Sequence, residues 1–312
     1  MTVDSTTPAA GHMAKNTTWD IFSGRVRSRR FVRVLAVMPR LIFATVILLF
    51  AVIPVMWVVS AAFDASNSLV NQSILPRVPS LDNFGNLLTS PRAPFLLWML
   101  NSLVVSGSTT LIVVVLSALS AYSFSRFRYR GKRAFGLSLL VFQLFPNILA
   151  IVALFLLLKA LGEIVPALGL DTLGGLILIY SGGALGFNMW IMKGYFDTIP
   201  IELDEAARMD GATNMQIFLR IFLPLARPVV VIVGMLTFIA TYGDFLLPRV
   251  MLNSTQNYTL AIGLSQLVTG QYTTAWGTFA AGAILGCLPI LIIFAAFQRE
   301  ITSGATLGAV KF

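Results

Sequence analysis

Residue types that could do covalent chemistry are scarce in this chain. There is one cysteine, Cys287, in an apolar run, and one histidine, His12, in a polar tail. That excludes a disulfide framework within the chain and a Cys/His metal centre. No His–Glu–His pattern and no Ser/His or Cys/His set falls within the apolar segments, so an intramembrane enzyme has no machinery to build on. No phosphate-binding loop of the Walker type is present, so the chain is not expected to hydrolyse ATP itself. Asp244 is the one acid placed deep in an apolar stretch, where a carboxylate costs roughly 2.5–3.5 kcal/mol on insertion scales.

The most informative segment is the polar stretch from Asp197 to Pro228, DTIPIELDEAARMDGATNMQIFLRIFLPLARP. It is far longer than a simple helix–helix link requires. Pro200 suits a first helical position. Glu202, Asp204 and Glu205 crowd the positive end of the helix dipole, and Gly211 is placed to stop the helix. The expectation is a short helix over about 200–210, a turn, and a second helix from about Asn214. Leu203, Ala206 and Ala207 recur at helical spacing. They read as one shallow face, with Glu202, Glu205 and Arg208 beside it to fix register on a soluble partner. By pattern alone, an amphipathic loop helix resting on the bilayer fits as well.

The elements that must carry this loop follow from composition. Of 312 residues 57% are hydrophobic and 11% charged, against about 25% charged in soluble domains. Lipid must therefore be the solvent for most of the chain. Six stretches are long and apolar enough to cross a bilayer, at about 41–63, 98–124, 134–158, 172–191, 228–247 and 276–297. Pro146-Asn147 marks an expected kink in the third. With both ends cytoplasmic, eighteen of the 22 Lys and Arg residues fall inside, which the positive-inside rule favours. The net charge of +9 is thus a topology signal and not a nucleic-acid footprint; the basic residues suit anionic lipid headgroups. Residues 1–33 read as a disordered cytoplasmic tail. Residues 34–312 read as the membrane domain, with 193–227 as its main cytoplasmic loop.

Polar groups in the spans suggest a path for a solute. Asn101, Ser106, Ser108, Gln143, Asn147, Asn188, Thr241 and Asp244 are candidates, with Phe145, Tyr180, Trp190 and Tyr242 as aromatic faces on which a ring-shaped solute could pack. Each also fits plain helix–helix packing. An ion-coupled secondary transporter is the rival reading, but such proteins usually place carboxylates near the midplane, and Asp244 stands alone.

The loop resembles the signature segment of permease subunits of bacterial ABC importers. That pattern is Glu-Ala-Ala, three residues, Gly, nine residues, Ile, one residue, Leu-Pro. Here it reads Glu205-Ala206-Ala207, Gly211, Ile221, Leu223-Pro224, with every fixed position and both spacings matched. The resemblance spans roughly residues 41–312. It implies an all-α membrane protein of the type I importer architecture in a bacterial inner membrane. The loop helix would dock on a cytoplasmic ATPase, whose two copies bind ATP and Mg while this chain binds no cofactor. It also implies a second permease subunit and an extracytoplasmic binding protein as partners.

The last third is similar to the shorter permease of maltose-type sugar importers. On that likeness Asn257, Tyr258, Thr259 and Leu264 would belong to an outer loop that meets the binding protein. Gly308, Ala309, Val310 and Lys311 would form a tail entering the ATPase dimer. Tyr242 and Gly243 stand where many relatives have Trp and Asn. The solute class therefore stays open among maltose, maltodextrin or a related sugar such as trehalose, a polyol and glycerol phosphate.

Overall fold

The computed structural model describes residues 20–66, 73–91, 93–269 and 275–309, with side chains at 20–36, 147 and 301–309 left outside that description. Among the described residues regular structure is entirely helical, apart from one isolated bridge between Asp64 and Pro79. The chain divides into two units, Met1–Met56 and Trp57–Phe312.

The described backbone of the first unit is the part of α1 (Asp20–Ala62) up to Met56. From Val37 to Met56 every residue is exposed. A helix apolar on all faces needs a non-aqueous surrounding.

The second unit contains the remaining helices. In chain order they are α2 (Asp82–Thr89), α3 (Phe95–Arg126), α4 (Lys132–Gln143), α5 (Asn147–Ile164) and α6 (Leu173–Phe196). Then come α7 (Glu202–Met209), α8 (Asn214–Ile217), a π-helical turn at Phe218–Phe222, α9 (Leu223–Leu225) and α10 (Arg227–Gly243). The chain closes with α11 (Leu246–Met251), α12 (Leu260–Gln266) and α13 (Trp276–Ala309).

The spine is α3, which at 32 residues is about 48 Å long. It packs along both α6 and α10. At one end its Phe95 and Trp98 join Phe238, Tyr242, Leu260 and Ala281 in one core cluster. At the other, Ala121, Tyr122 and Phe124 join Met192, Phe196, Phe222 and Val233 in a second. Trp98 lies so close to α12 that a Cβ on Gly263 would sit 2.1 Å from the indole. Thr172 starts α6 by accepting the Gly175 N–H at 3.0 Å, satisfying one of the helix's free donors.

Among the described residues four helices are long and apolar enough to cross a membrane: Val37–Ala62, Phe95–Arg126, Leu173–Phe196 and Trp276–Glu300. Two bent pairs would make six if each counts as one span. The third expected span is one of them. It is a full break rather than a kink, with α4 and α5 meeting at 104°. Pro146 lacks a donor and drives the preceding residue away from helical geometry. The fifth is the other: the chain from Asn214 to Leu225 meets α10 at 78°. It also ends earlier than expected, because Asp244 is extended rather than helical.

Candidate functional site

The loop folds as two helices joined by a tight turn. In α7 the acids Glu202, Asp204 and Glu205 occupy the first turn, where the helix dipole stabilises negative charge. The helix ends in a Schellman arrangement. Gly211 N–H donates to the Arg208 carbonyl at 3.0 Å, and Ala212 N–H to the Ala207 carbonyl at 2.9 Å. Gly211 has φ 83°, a left-handed conformation that glycine adopts without Cβ strain. The next helix begins at once with a capping box. Thr213 Oγ1 accepts from Gln216 N–H at 3.3 Å, and Gln216 Oε1 accepts from Thr213 N–H at 2.8 Å.

The faces of α7 differ from the expectation in one respect. Leu203 and Ala206 are exposed, but Ala207 is buried. Ala207 shares its face with Asp204, one turn earlier, which is 1% exposed. The outward face is instead Glu202, Glu205, Ala206 and Met209, with Met209 89% exposed.

Asp204 points inward because a cation waits for it. Arg126, the last residue of α3, places Nε 2.7 Å from Asp204 Oδ2, with both side chains almost fully buried. No described donor is aligned for a hydrogen bond to the Asp204 oxygens, so the pair is held by charge. Losing either partner strands the other charge, at a cost of about 3–5 kcal/mol. The same guanidinium donates to the Ile199 carbonyl at 2.7 Å and lies 4.5 Å over the Phe222 ring. Ser125 Oγ donates to Asp197 Oδ1 at 2.8 Å, and Asp197 also pairs with Lys193.

Downstream, Ile221 and Leu223 are half-buried and Pro224 is exposed. Leu223 packs on the cluster containing Phe222. In the π turn, Leu223 N–H reaches back five residues to the Phe218 carbonyl.

A cavity of about 750 Å³ opens between α5, α6, α10 and α11. Its polar lining is Gln143, Tyr180, Asn188, Thr237, Thr241 and Asp244. Tyr180 OH donates to Asp244 Oδ2 at 2.7 Å, and Leu246 N–H donates to Asp244 Oδ1 at 3.0 Å. Asn188 Nδ2 donates to Thr237 Oγ1 at 3.2 Å. The carboxylate is therefore partnered but still edges the cavity. Two expected path residues lie elsewhere. Trp190 donates its indole N–H to the Gly136 carbonyl at 3.0 Å. Tyr242 is buried, donating to the Gly286 carbonyl at 3.0 Å and stacking on Phe238. Asn101 and Ser106 are also structural, bonded to backbone carbonyls. The Asn147 side chain lies outside the described residues. Thr237, one turn before Thr241 on α10, carries the same pattern in the sequence but is missing from the candidate set.

The outer loop after α11 is anchored rather than free. Trp98 Nε1 donates to the Thr255 carbonyl at 2.9 Å. Asn101 Nδ2 donates to the Gln256 and Tyr258 carbonyls at 2.8 and 3.0 Å, and Ser102 Oγ accepts from Leu260 N–H at 2.8 Å. From the other side Asp171 Oδ1 accepts from Asn253 and Ser254 N–H at 2.9 and 3.0 Å, and Oδ2 from the Ser254 hydroxyl. Asn257 spends its amide on the Asp171 carbonyl at 2.6 Å. Thr259 and Leu264 are buried, and Tyr258 packs on two core clusters. Of the residues expected to meet a binding protein, Asn257 and Tyr258 are half-buried and Thr259 and Leu264 buried, and they also hold the loop to the helices. Burial pushes the Asp171 carboxyl up, but the Ser254, Asn253 and Asn257 bonds outweigh it and hold it below the usual aspartate value. Gly308 and Ala309 end α13 with side chains undescribed, and Val310 and Lys311 lie outside the described residues.

These features describe a helical membrane protein with a polar-edged cavity and a structured polar loop. The family described as "Binding-protein-dependent transport system inner membrane component" matches residues 114–303. This chain is 40% identical over 271 residues to the maltose/maltodextrin transport system permease protein MalG of Vibrio vulnificus (strain YJ016), covering 83% of this chain and 90% of that one. It is 36% identical over 287 residues to the galactooligosaccharides transport system permease protein GanQ of Bacillus subtilis (strain 168), covering 92% and 98%. Its fold matches a chain of a bacterial ABC transporter involved in alginate import. The TM-score is 0.71 at 22% identity, covering 88% of this chain and 97% of that one. The chain belongs to the inner-membrane components of binding-protein-dependent transport systems. It is a multi-pass permease subunit of the inner membrane and a transport component rather than an enzyme.

Proposed function

We propose that this chain is one of two permease subunits in an ATP-driven sugar importer, and that α7 receives the stroke of the ATPase. The outward face of Glu202, Glu205, Ala206 and Met209 carries this reading. It is exposed on a helix whose opposite face is pinned by a buried ion pair. A face that is both rigid and unsatisfied suits docking. Two ATPase copies, holding ATP and Mg, close and displace α7. The spans then swing between inward-facing and outward-facing states as rigid bodies. Gly211, Ile221, Leu223 and Pro224 shape the loop, and the tail at Gly308, Ala309, Val310 and Lys311 adds a second contact with the ATPase. Six spans with both ends cytoplasmic complete the topology.

The solute is a neutral sugar of the maltose/maltodextrin or galactooligosaccharide kind. The names of the relatives support that class. The cavity supports it too: a carboxylate on its edge, with hydroxyl and amide groups around it, repels an anion and offers hydrogen bonds to a polyol or sugar. A glycerol phosphate importer is disfavoured on that charge. An extracytoplasmic binding protein delivers the sugar.

The test is Glu205→Lys in the complex purified with its native partners. The variant is expected to insert and to bring down less ATPase, with uptake lost. A variant complex that keeps its ATPase and transports at the wild-type rate overturns the docking role.

A further inference from the structure

Resting on that docking reading, we infer that Arg126 is a positioning residue that locks α7 to α3, so that the stroke enters the core through α3 and not only along the chain into α10. Two routes lead inward from α7. The covalent route passes through α8, the π turn and α9, then a 78° bend into α10. A bend of that size is a poor strut. The other route is through space, and one side chain makes it. Arg126 touches three separate segments: Asp204 on α7 at 2.7 Å, the Ile199 carbonyl just before α7 at 2.7 Å, and the Phe222 ring in the π turn at 4.5 Å. Ser125 adds the bond to Asp197 at 2.8 Å.

The far end of α3 makes this lock consequential. There Trp98, Asn101 and Ser102 hold residues 255–260 of the outer loop. One helix therefore grips the loop helix at one end and the outer loop at the other. A displacement of α7 fixed to Arg126 moves α3 as a rod and reaches the segment beside which the binding protein would sit. Arginine suits the post: its planar fork reaches several acceptors at once while its face stacks on an aromatic ring.

The experiment uses the assembled complex in liposomes with its binding protein, reading solute taken up per ATP hydrolysed. Asp204→Asn removes the charge and keeps the shape. It is expected to retain the ATPase and its hydrolysis while uptake per ATP falls about tenfold, within the usual range of coupling between sites. Unchanged uptake per ATP overturns the lock. Should Asp204→Asn fail to assemble, a second measurement decides. Spin labels at Asp210→Cys and Arg128→Cys, in a Cys287→Ser background, report the spacing of α7 from the end of α3. In the complex that keeps the ion pair, that spacing is expected to be the same with and without ATP. A change of about one helical turn, ~5 Å, overturns the proposal. This distance reports on the lock alone, whereas failure of the docking reading shows as full transport by Glu205→Lys.

Discussion

Asp171→Asn isolates the charge that ties the outer loop to the start of α6. Asp171 has φ 56°, in the left-handed region that Asp and Asn both tolerate, so the exchange leaves the backbone unstrained. Its carboxylate accepts from Asn253 N–H, Ser254 N–H and the Ser254 hydroxyl. An asparagine oxygen can keep the two backbone bonds, but at neutral strength, and its NH2 faces the hydroxyl. A hydrogen bond to a charged group contributes about 1.5–3 kcal/mol against about 1 for a neutral one. The expected loss is therefore about 2–3 kcal/mol, or roughly a 30- to 150-fold rise in local opening. Amide hydrogen exchange across residues 252–258 in the reconstituted complex measures it directly.

The pH dependence supplies a second arm. The folded carboxyl is held below its ordinary value of 3.8, because the Ser254 and Asn253 bonds outweigh burial. Such a group stabilises fully above its unfolded pKa and loses that contribution as pH falls through the lower folded value. Exchange at 252–258 should thus be protected at neutral pH and lose protection below about pH 4, and Asp171→Asn should lack that acid step. Wild-type protection in the variant, or an acid step that survives the substitution, refutes the clamp.

Two further outcomes follow from the same geometry. Gly211→Ala places a Cβ where nothing lies within 4 Å, so only the left-handed backbone is penalised. The expected loss is about 1–2 kcal/mol, read as a lower thermal midpoint of the complex, and Gly211→Asn should lose less. Asp244→Asn takes the charge out of one 2.7 Å bond, and Tyr180→Phe removes that bond. Each should reduce uptake without reducing ATPase assembly, and the double variant should be little worse than the worse single one, as contacting partners are non-additive. Additive losses in the uptake assay would separate the two residues.

What could be read from the chain depended on how local the determinant was. The two loop helices were legible because their signals lie within a few residues: acids in the first turn, Gly211 at the stop, a second start near Asn214. The orientation of α7 was not. Ala207 looked like part of a docking face because its inward partner, Asp204, answers to Arg126 at the end of a distant helix. Arg126 itself read only as one more inside charge. The same limit applies in the spans. Polar candidates could be named, but the side of each helix they occupy is set by packing, and faces toward lipid and core are both apolar. The cavity gathers Gln143, Tyr180, Asn188, Thr241 and Asp244 while Trp190 and Tyr242 turn to carbonyls. In the outer loop, the hydrogen bonds from Trp98, Asn101 and Ser102 join residues far apart in the chain, so no local pattern announces that anchoring.

The motif's fixed spacing has a physical reading once the backbone is seen. Pro224 has no N–H and its ring crowds the carbonyl four residues back. A regular α-turn into Pro224 would meet that crowding. The chain widens instead: Leu223 N–H bonds to the Phe218 carbonyl, and regular spacing resumes with Ala226 N–H to the Phe222 carbonyl at 2.9 Å. Wide turns of this kind are rare and gather at functional sites. This one ends in the residue, Phe222, on which Arg126 stacks, just ahead of the 78° bend into α10. Gly211 and Pro224 therefore set where the loop turns, whereas Glu205 and Ala206 stay exposed. A stroke delivered to that exposed face needs a stiff side and a yielding side. On the proposed reading α3 with Arg126 is the stiff side, and the stretch from the π turn to Ala226 is where the chain yields.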